Sequence, residues 1–145
     1  ANRNLDKYKY LVGDVVTDDT EDFLGPLAGM LAALKFIKSD YVAFVPCDCP
    51  FFPNNLVAKL LPNNSSSTKS IRVACVNDRV QPVFSIIPTS FSASLSDYLD
   101  TGERKIMKWY ENHKVEKISF RELADFDNLN SADDFLKAEK RITKQ

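Results

Sequence analysis

Glycine, histidine and cysteine are scarce in this chain: four, one and three among 145 residues. Each scarcity removes a class of chemistry. The single histidine, His113, lies on a Lys/Glu-rich stretch and reads as a solvated side chain, so no Ser-His-Asp or Cys-His triad is credible. Cys47, Cys49 and Cys75 form an odd set with no framework spacing, which argues against a disulfide scaffold and for a reducing compartment, the cytosol. Cys47 and Cys49 stand at C-x-C spacing, but a closed zinc site takes about four ligands and no second pair exists. Cys75, inside Ile71–Val76, reads as a small buried hydrophobe. No apolar run approaches the length of a membrane span, and Ala1-Asn2-Arg3-Asn4 does not open a signal peptide. Neither charge sign dominates. With 19 Lys+Arg against 20 Asp+Glu, the net charge of −1 gives no pull toward nucleic-acid backbones or anionic membranes.

What is present suits one α/β domain with a real core: 44% hydrophobic and 27% charged residues. Leu5, Tyr8, Leu11 and Val12 predict a short helix closed by Gly13. Asp14–Thr17 is a strand candidate, and Asp18–Asp22 an acidic loop. Gly25-Pro26 opens a clear helix, since proline suits the first turn, with Leu27, Met30, Leu31, Leu34 and Ile37 as its apolar stripe. Gly29 inside it costs about 1 kcal/mol relative to alanine. It marks either a close approach of backbone or ligand, or tight helix–sheet packing. Tyr41–Val45 reads as a buried parallel strand, apolar on both faces, and completes a right-handed βαβ unit. Residues 54–61 predict a helix with Leu56, Val57, Leu60 and Leu61 inward, followed by a polar connector over 62–68.

Residues 71–76 and 82–87 predict a hairpin, or two neighbouring strands, around a turn at Asn77-Asp78. Phe91, Leu95, Tyr98 and Leu99 fit one helix. Ile106, Trp109 and Tyr110 fit another, starting near Thr101-Gly102-Glu103. Val115–Phe120 is a strand, and Ser131-Ala132-Asp133-Asp134 announces a last helix.

Several places could carry chemistry. Asp48 sits in Val45-Pro46-Cys47-Asp48-Cys49-Pro50, directly after an apolar strand. Ligands collect outside the carboxyl ends of strands in open α/β sheets, and Mg²⁺ is usually held through one or two carboxylates plus substrate phosphates. A carboxylate capping the following turn explains Asp48 equally well. Gly25-Pro26-Leu27-Ala28-Gly29 presents a helix N-terminus to an anion, although Gly-Pro starts many helices without a ligand. Asn128 and Asn130 can read a base, hold a phosphate neighbourhood or make Asx turns before the last helix, the turn being the default. Gln81-Pro82 suits a bulge or an edge strand. Gly102-Glu103-Arg104-Lys105 reads as a helix first turn carrying basic charge, against the dipole, which a bound anion or plain solvation would accommodate.

Taken in order and spacing, Gly25-Pro26-Leu27-Ala28-Gly29-Met30, Pro46-Cys47-Asp48-Cys49-Pro50, Gly102-Glu103-Arg104 and Asn128-Leu129-Asn130-Ser131 resemble the MobA family, the molybdenum cofactor guanylyltransferases. The resemblance covers essentially the whole chain. It implies a three-layer α/β/α, nucleotide-diphospho-sugar-transferase-like (Rossmann-like) sheet, mostly parallel. It implies transfer of GMP from GTP to molybdopterin, with Mg²⁺ as cofactor and pyrophosphate released. By that resemblance Asp48 is the metal-binding aspartate and Asp18 a nucleotide-binding one. Asn128 and Asn130 face the active-site cleft toward the pterin, and Gly25, Pro26, Leu27 and Gly29 line it. GTP and molybdopterin are the expected partners, together with other proteins of cofactor insertion.

One departure is large. The family begins with a strand and a glycine-rich loop of the type L-A-G-G-x-S-x-R-M-G, and this chain contains no such motif. The expectation is a single domain over 1–145 lacking its N-terminal strand and phosphate loop, roughly a quarter of a usual domain or about 50 residues. Such a chain would not complete guanylyl transfer by itself. Two alternatives stand beside this reading: a non-catalytic molybdopterin- or partner-binding fragment, and a sister nucleotidyltransferase using CTP or a sugar phosphate.

Overall fold

A computed structural model describes residues 25–62 and 68–121, with Phe126, Asp134 and Leu136. The predicted elements before Gly25 and the last helix after Ser131 lie outside the described residues or nearly so. Within them the order is α1 (Pro26–Phe36), β1 (Tyr41–Phe44), α2 (Leu56–Leu60), β2 (Ile71–Val76) and β3 (Arg79–Pro88). A 3₁₀ turn (Thr89–Phe91), α3 (Ser92–Asp100), α4 (Ile106–Tyr110) and β4 (Val115–Phe120) follow.

The four strands form one sheet in the order β1-β3-β2-β4. β3 is antiparallel to both β1 and β2, and β4 is parallel to β2. Three strands therefore run one way and β3 runs against them, the mostly parallel mixed sheet expected. β1 departs from its prediction in two respects. Its hydrogen-bonded partner is the antiparallel β3, from Tyr41↔Pro88 to Phe44↔Ser85. Val42 is buried, but Ala43, on the opposite face, is exposed.

The hairpin prediction holds. β2 and β3 are joined by a two-residue turn in which Asn77 has φ 47° and Asp78 φ 62°. Positive φ at both central residues is the type I′ geometry that matches strand twist, and Asn and Asp tolerate it better than other side chains. The pairing slips between Val73 and Ala74, from Val73↔Ser85 to Ala74↔Gln81. The excess residues on β3 are Pro82, Val83 and Phe84, so proline, which cannot donate to the ladder, sits where the ladder is broken. Tyr110 donates its hydroxyl to the Pro82 carbonyl at 2.7 Å and also contacts the buried Ser85 Oγ at 3.1 Å. The carbonyl released by the bulge is thereby satisfied.

Strand alternation sorts the core onto two faces. Val42, Ile71, Val73 and Ile87 pack with Leu27, Met30 and Leu34 of α1, Leu95, Tyr98 and Leu99 of α3, and Trp109 and Tyr110 of α4. Ala74, Val76, Phe84 and Ile86 point the other way, against Leu56 and Leu60 of α2, Cys49, Phe120 and Phe126. This is the three-layer arrangement. The predicted stripes were too wide at helix ends. Ile37 caps α1 rather than continuing it and is exposed, as are Val57 and Leu61 on the single turn of α2, where one i, i+4 pair can face the sheet.

His113 is not a solvated side chain. Its ring stacks on Phe91 with centroids 4.4 Å apart and meets Trp109 edge-on at 5.0 Å. Trp109 Nε1 donates to Ser94 Oγ at 3.3 Å, and Ser94 Oγ lies 2.9 Å from His113 Nε2. Ser94 thus links the two rings, accepting from Trp109 and sharing a hydrogen bond with His113. Burial holds the His113 pKa below 6.5. Its folded value is thus lower than its unfolded one, so its contribution to stability is complete above the unfolded pKa and lost as pH falls through the folded one. Unfolding midpoints should fall more steeply from about pH 7 to about pH 5 in the wild type than in His113→Phe.

Candidate functional site

The carboxyl ends of β1, β2 and β4 share one edge of the sheet. β1 runs into it at Phe44, and the chain then turns at Cys47-Asp48. Four residues connect α1 to β1, so the helix runs back along the strand and its N-terminus faces the same edge. Gly25 and the turn bearing Asp48 are thus brought to one side of the molecule by topology.

Gly25 is the N-cap of α1, with φ 70° and ψ −165°, a conformation that disfavours any side chain. It carries no capping side chain, and the first turn holds no acidic residue. Pro26, at the helix start, and Gly29 are exposed, whereas Leu27 and Ala28 are buried. A Cβ at Gly29 would meet nothing within 4 Å. Tight helix–sheet packing therefore does not explain this glycine, since it lies on the face turned away from the sheet.

Asp48 is half-buried, between the exposed Cys47 and Cys49, which is 1% exposed. The two thiols point to different environments and do not act as a pair. Cys49 Sγ lies 3.7 Å from Asp48 Oδ1 and 3.8 Å from the Phe126 carbonyl oxygen. Phe126 packs edge-on against Phe84 at 4.8 Å and Phe120 at 5.5 Å. Phe126 itself is thereby set against the Asp48 turn. Asp18, Asn128 and Asn130 lie outside the described residues. No group of three or more His, Cys, Asp or Glu side chains suited to a metal occurs among the described residues. Among the described residues the donor set at this turn is one hard carboxylate, which suits a magnesium ion whose other ligands include phosphate oxygens and water.

Gly102-Glu103-Arg104-Lys105 differs from its prediction. Helix α4 begins only at Ile106, and Gly102, at φ 84°, ends α3 instead. The Gly102 N–H donates to the Leu99 carbonyl at 3.0 Å, and Arg104 Nη1 donates to the Leu99 and Glu103 carbonyls at 2.7 Å each. The basic charge serves the negative end of α3, where the dipole favours it. Glu103 pairs with Lys108 across the start of α4. Arg104→Met should cost about 1–2 kcal/mol in urea unfolding, the value of charge-assisted bonds to helix-end carbonyls.

Two contacts were not foreseen from the sequence: Cys49 to Phe126, and Tyr110 to Pro82. The first had a faint signal, a polar–apolar alternation at Asp48-Cys49 that separates the two neighbours by burial. The second had none, because the bulge that frees the Pro82 carbonyl arises from pairing.

Residues 2–116 match the MobA-like NTP transferase domain. The chain belongs to this family. It is 39% identical over 145 residues to the molybdenum cofactor guanylyltransferase of Shewanella frigidimarina, covering 99% of this chain and 74% of that one. It is 38% identical over 138 residues to the enzyme of the same name from Haemophilus influenzae, covering 94% and 72%. Among solved structures, a protein of Aquifex aeolicus VF5 superposes with TM-score 0.73 at 18% identity, over 87% of this chain and 66% of that one. Molybdopterin-guanine dinucleotide biosynthesis protein A of Archaeoglobus fulgidus gives 0.67 at 22% identity, over 83% and 64%. The chain thus spans about two thirds of each solved structure and somewhat more of the two sequence relatives. The MobA-like fold is shared with the two structures. The chain is of the nucleotidyltransferase type, in keeping with the expected class. No helix among the described residues is long and apolar enough to cross a membrane.

Proposed function

We propose that this protein transfers GMP from GTP to molybdopterin, forming the guanine dinucleotide of the molybdenum cofactor and releasing pyrophosphate. The observation that carries this reading is Asp48, half-buried on the turn beyond β1 in a chain of the MobA-like family. The names of the relatives at 38–39% identity support the same substrate pair.

In this reading a phosphate oxygen of molybdopterin attacks the α-phosphorus of GTP. The bond from that phosphorus to the bridging oxygen breaks, and pyrophosphate leaves. Asp48 supplies the protein carboxylate for Mg²⁺, which when bound offsets charge on the phosphate oxygens. The turn holds that carboxylate at the sheet edge. The start of α1 offers N–H groups with positive dipole to an anion, and Gly29 leaves that face open. Asp18 contacts the nucleotide, and Asn128 and Asn130 orient the pterin. Catalysis is then mostly positioning and electrostatic stabilisation.

The test is label transfer from [α-³²P]GTP, run on this chain and on the chain extended upstream with the family's glycine-rich loop. Mg²⁺-dependent transfer from GTP to molybdopterin in the extended protein is the expected result. Transfer from CTP with GTP inert would overturn the guanylyl assignment.

A further inference from the structure

We infer that Cys49 is a positioning residue for Asp48: its thiol fixes one carboxylate oxygen and leaves the other to face the cation and nucleotide. The inference rests on the metal-ligand reading of Asp48 above. Cys49 is 1% exposed, beside a half-buried aspartate and an exposed Cys47. Its sulfur reaches Asp48 Oδ1 at 3.7 Å and the Phe126 carbonyl at 3.8 Å. A thiol has one proton, so at any moment one acceptor receives it and the other is held by contact.

Three consequences follow from this arrangement. The carboxylate is restrained through its neighbour as well as through its own backbone. The buried sulfur occupies the side of Asp48 that Oδ1 faces, so that oxygen is already engaged within the protein. The turn is also fastened to Phe126, itself held between Phe84 and Phe120. Groups that orient a metal-binding carboxylate without touching the metal are commonly worth about 10–100-fold in metal affinity. None of these roles is open to Cys47, which is exposed.

Mn²⁺ serves as the probe, titrated in the presence of GTP and followed by the loss of its free EPR signal beyond that of a protein-free Mn²⁺–GTP blank. Cys49→Ala removes the donor with little change of volume, and Cys49→Ser restores one. In the full-length chain, Cys49→Ala should weaken nucleotide-dependent Mn²⁺ binding by about tenfold, with Cys49→Ser recovering much of it. In an Asp48→Asn background the Cys49→Ala effect should disappear, since the two act through one ligand. Urea unfolding of each variant separates this from a packing defect. A Cys49→Ala protein that loses stability but keeps Mn²⁺ affinity would overturn the inference, as would an unchanged Cys49 effect in the Asp48→Asn background. A wild type whose Mn²⁺ binding is indifferent to Asp48→Asn would sink the underlying reading instead.

Discussion

Asp48→Asn should lower GMP-transfer turnover by about 10²–10³-fold, the scale of losing one electrostatic stabiliser at a reacting phosphate. Asparagine keeps the shape of aspartate and removes the charge that a magnesium ion requires. Because Asp48 is half-buried on a turn outside the two core clusters, the unfolding midpoint should move little, by about 0.5 kcal/mol or less. The measurement pairs kcat in saturating Mg²⁺ with urea unfolding on the same preparation. Near-normal turnover with an intact fold would remove Asp48 from the mechanism and return it to a turn-capping role. Extra Mg²⁺ should not restore the rate if the carboxylate acts in the transition state as well as in binding.

Trp109→Ala should have the largest effect on stability, about 3–5 kcal/mol. Trp109 is 0% exposed in the cluster beneath β2 and β3. Its removal opens a cavity between α3 and α4, deletes the donor to Ser94 and takes one wall from the pocket around His113. Domains of this size have about 5–15 kcal/mol in total, so a substantial unfolded fraction at physiological temperature is the expected outcome. Urea denaturation followed by far-UV circular dichroism measures it directly. A loss below about 1 kcal/mol would mean that α4 does not anchor the core as its burial implies.

The sequence made the elements legible where local rules decide them. Gly25-Pro26 marked the start of α1, Asn77-Asp78 the hairpin turn, and Leu95, Tyr98 and Leu99 the inward face of α3. The β-rich run of β2 is equally readable, and its near-continuous burial follows because both of its faces meet a layer of the core. Errors came where an end or a partner mattered. Sequence alone starts α4 too early, because a glycine that closes one helix and a glycine that opens the next differ by backbone conformation, not by residue type. His113 was assigned to solvent from its charged neighbours, while Phe91, 22 positions earlier by number, supplies its stacking surface. Asp48 was legible as a strand-end carboxylate, and the family resemblance raised it above a turn cap. Its hydrogen-bonded neighbour was not, since the acceptor that fastens Cys49 comes from a segment 77 positions away.

That separation shapes how the molecule comes together. The β2–β3 hairpin closes across two residues and can form on a microsecond scale. The Cys49–Phe126 contact closes a loop of 77 positions, with loop entropy to overcome before it contributes. The contact of Cys49 with Phe126 is therefore expected to form after the hairpin and to open before it, and hydrogen exchange should find the hairpin amides the better protected. On the proposed reading of Asp48, docking of Phe126 also fastens the turn that carries the metal-binding carboxylate.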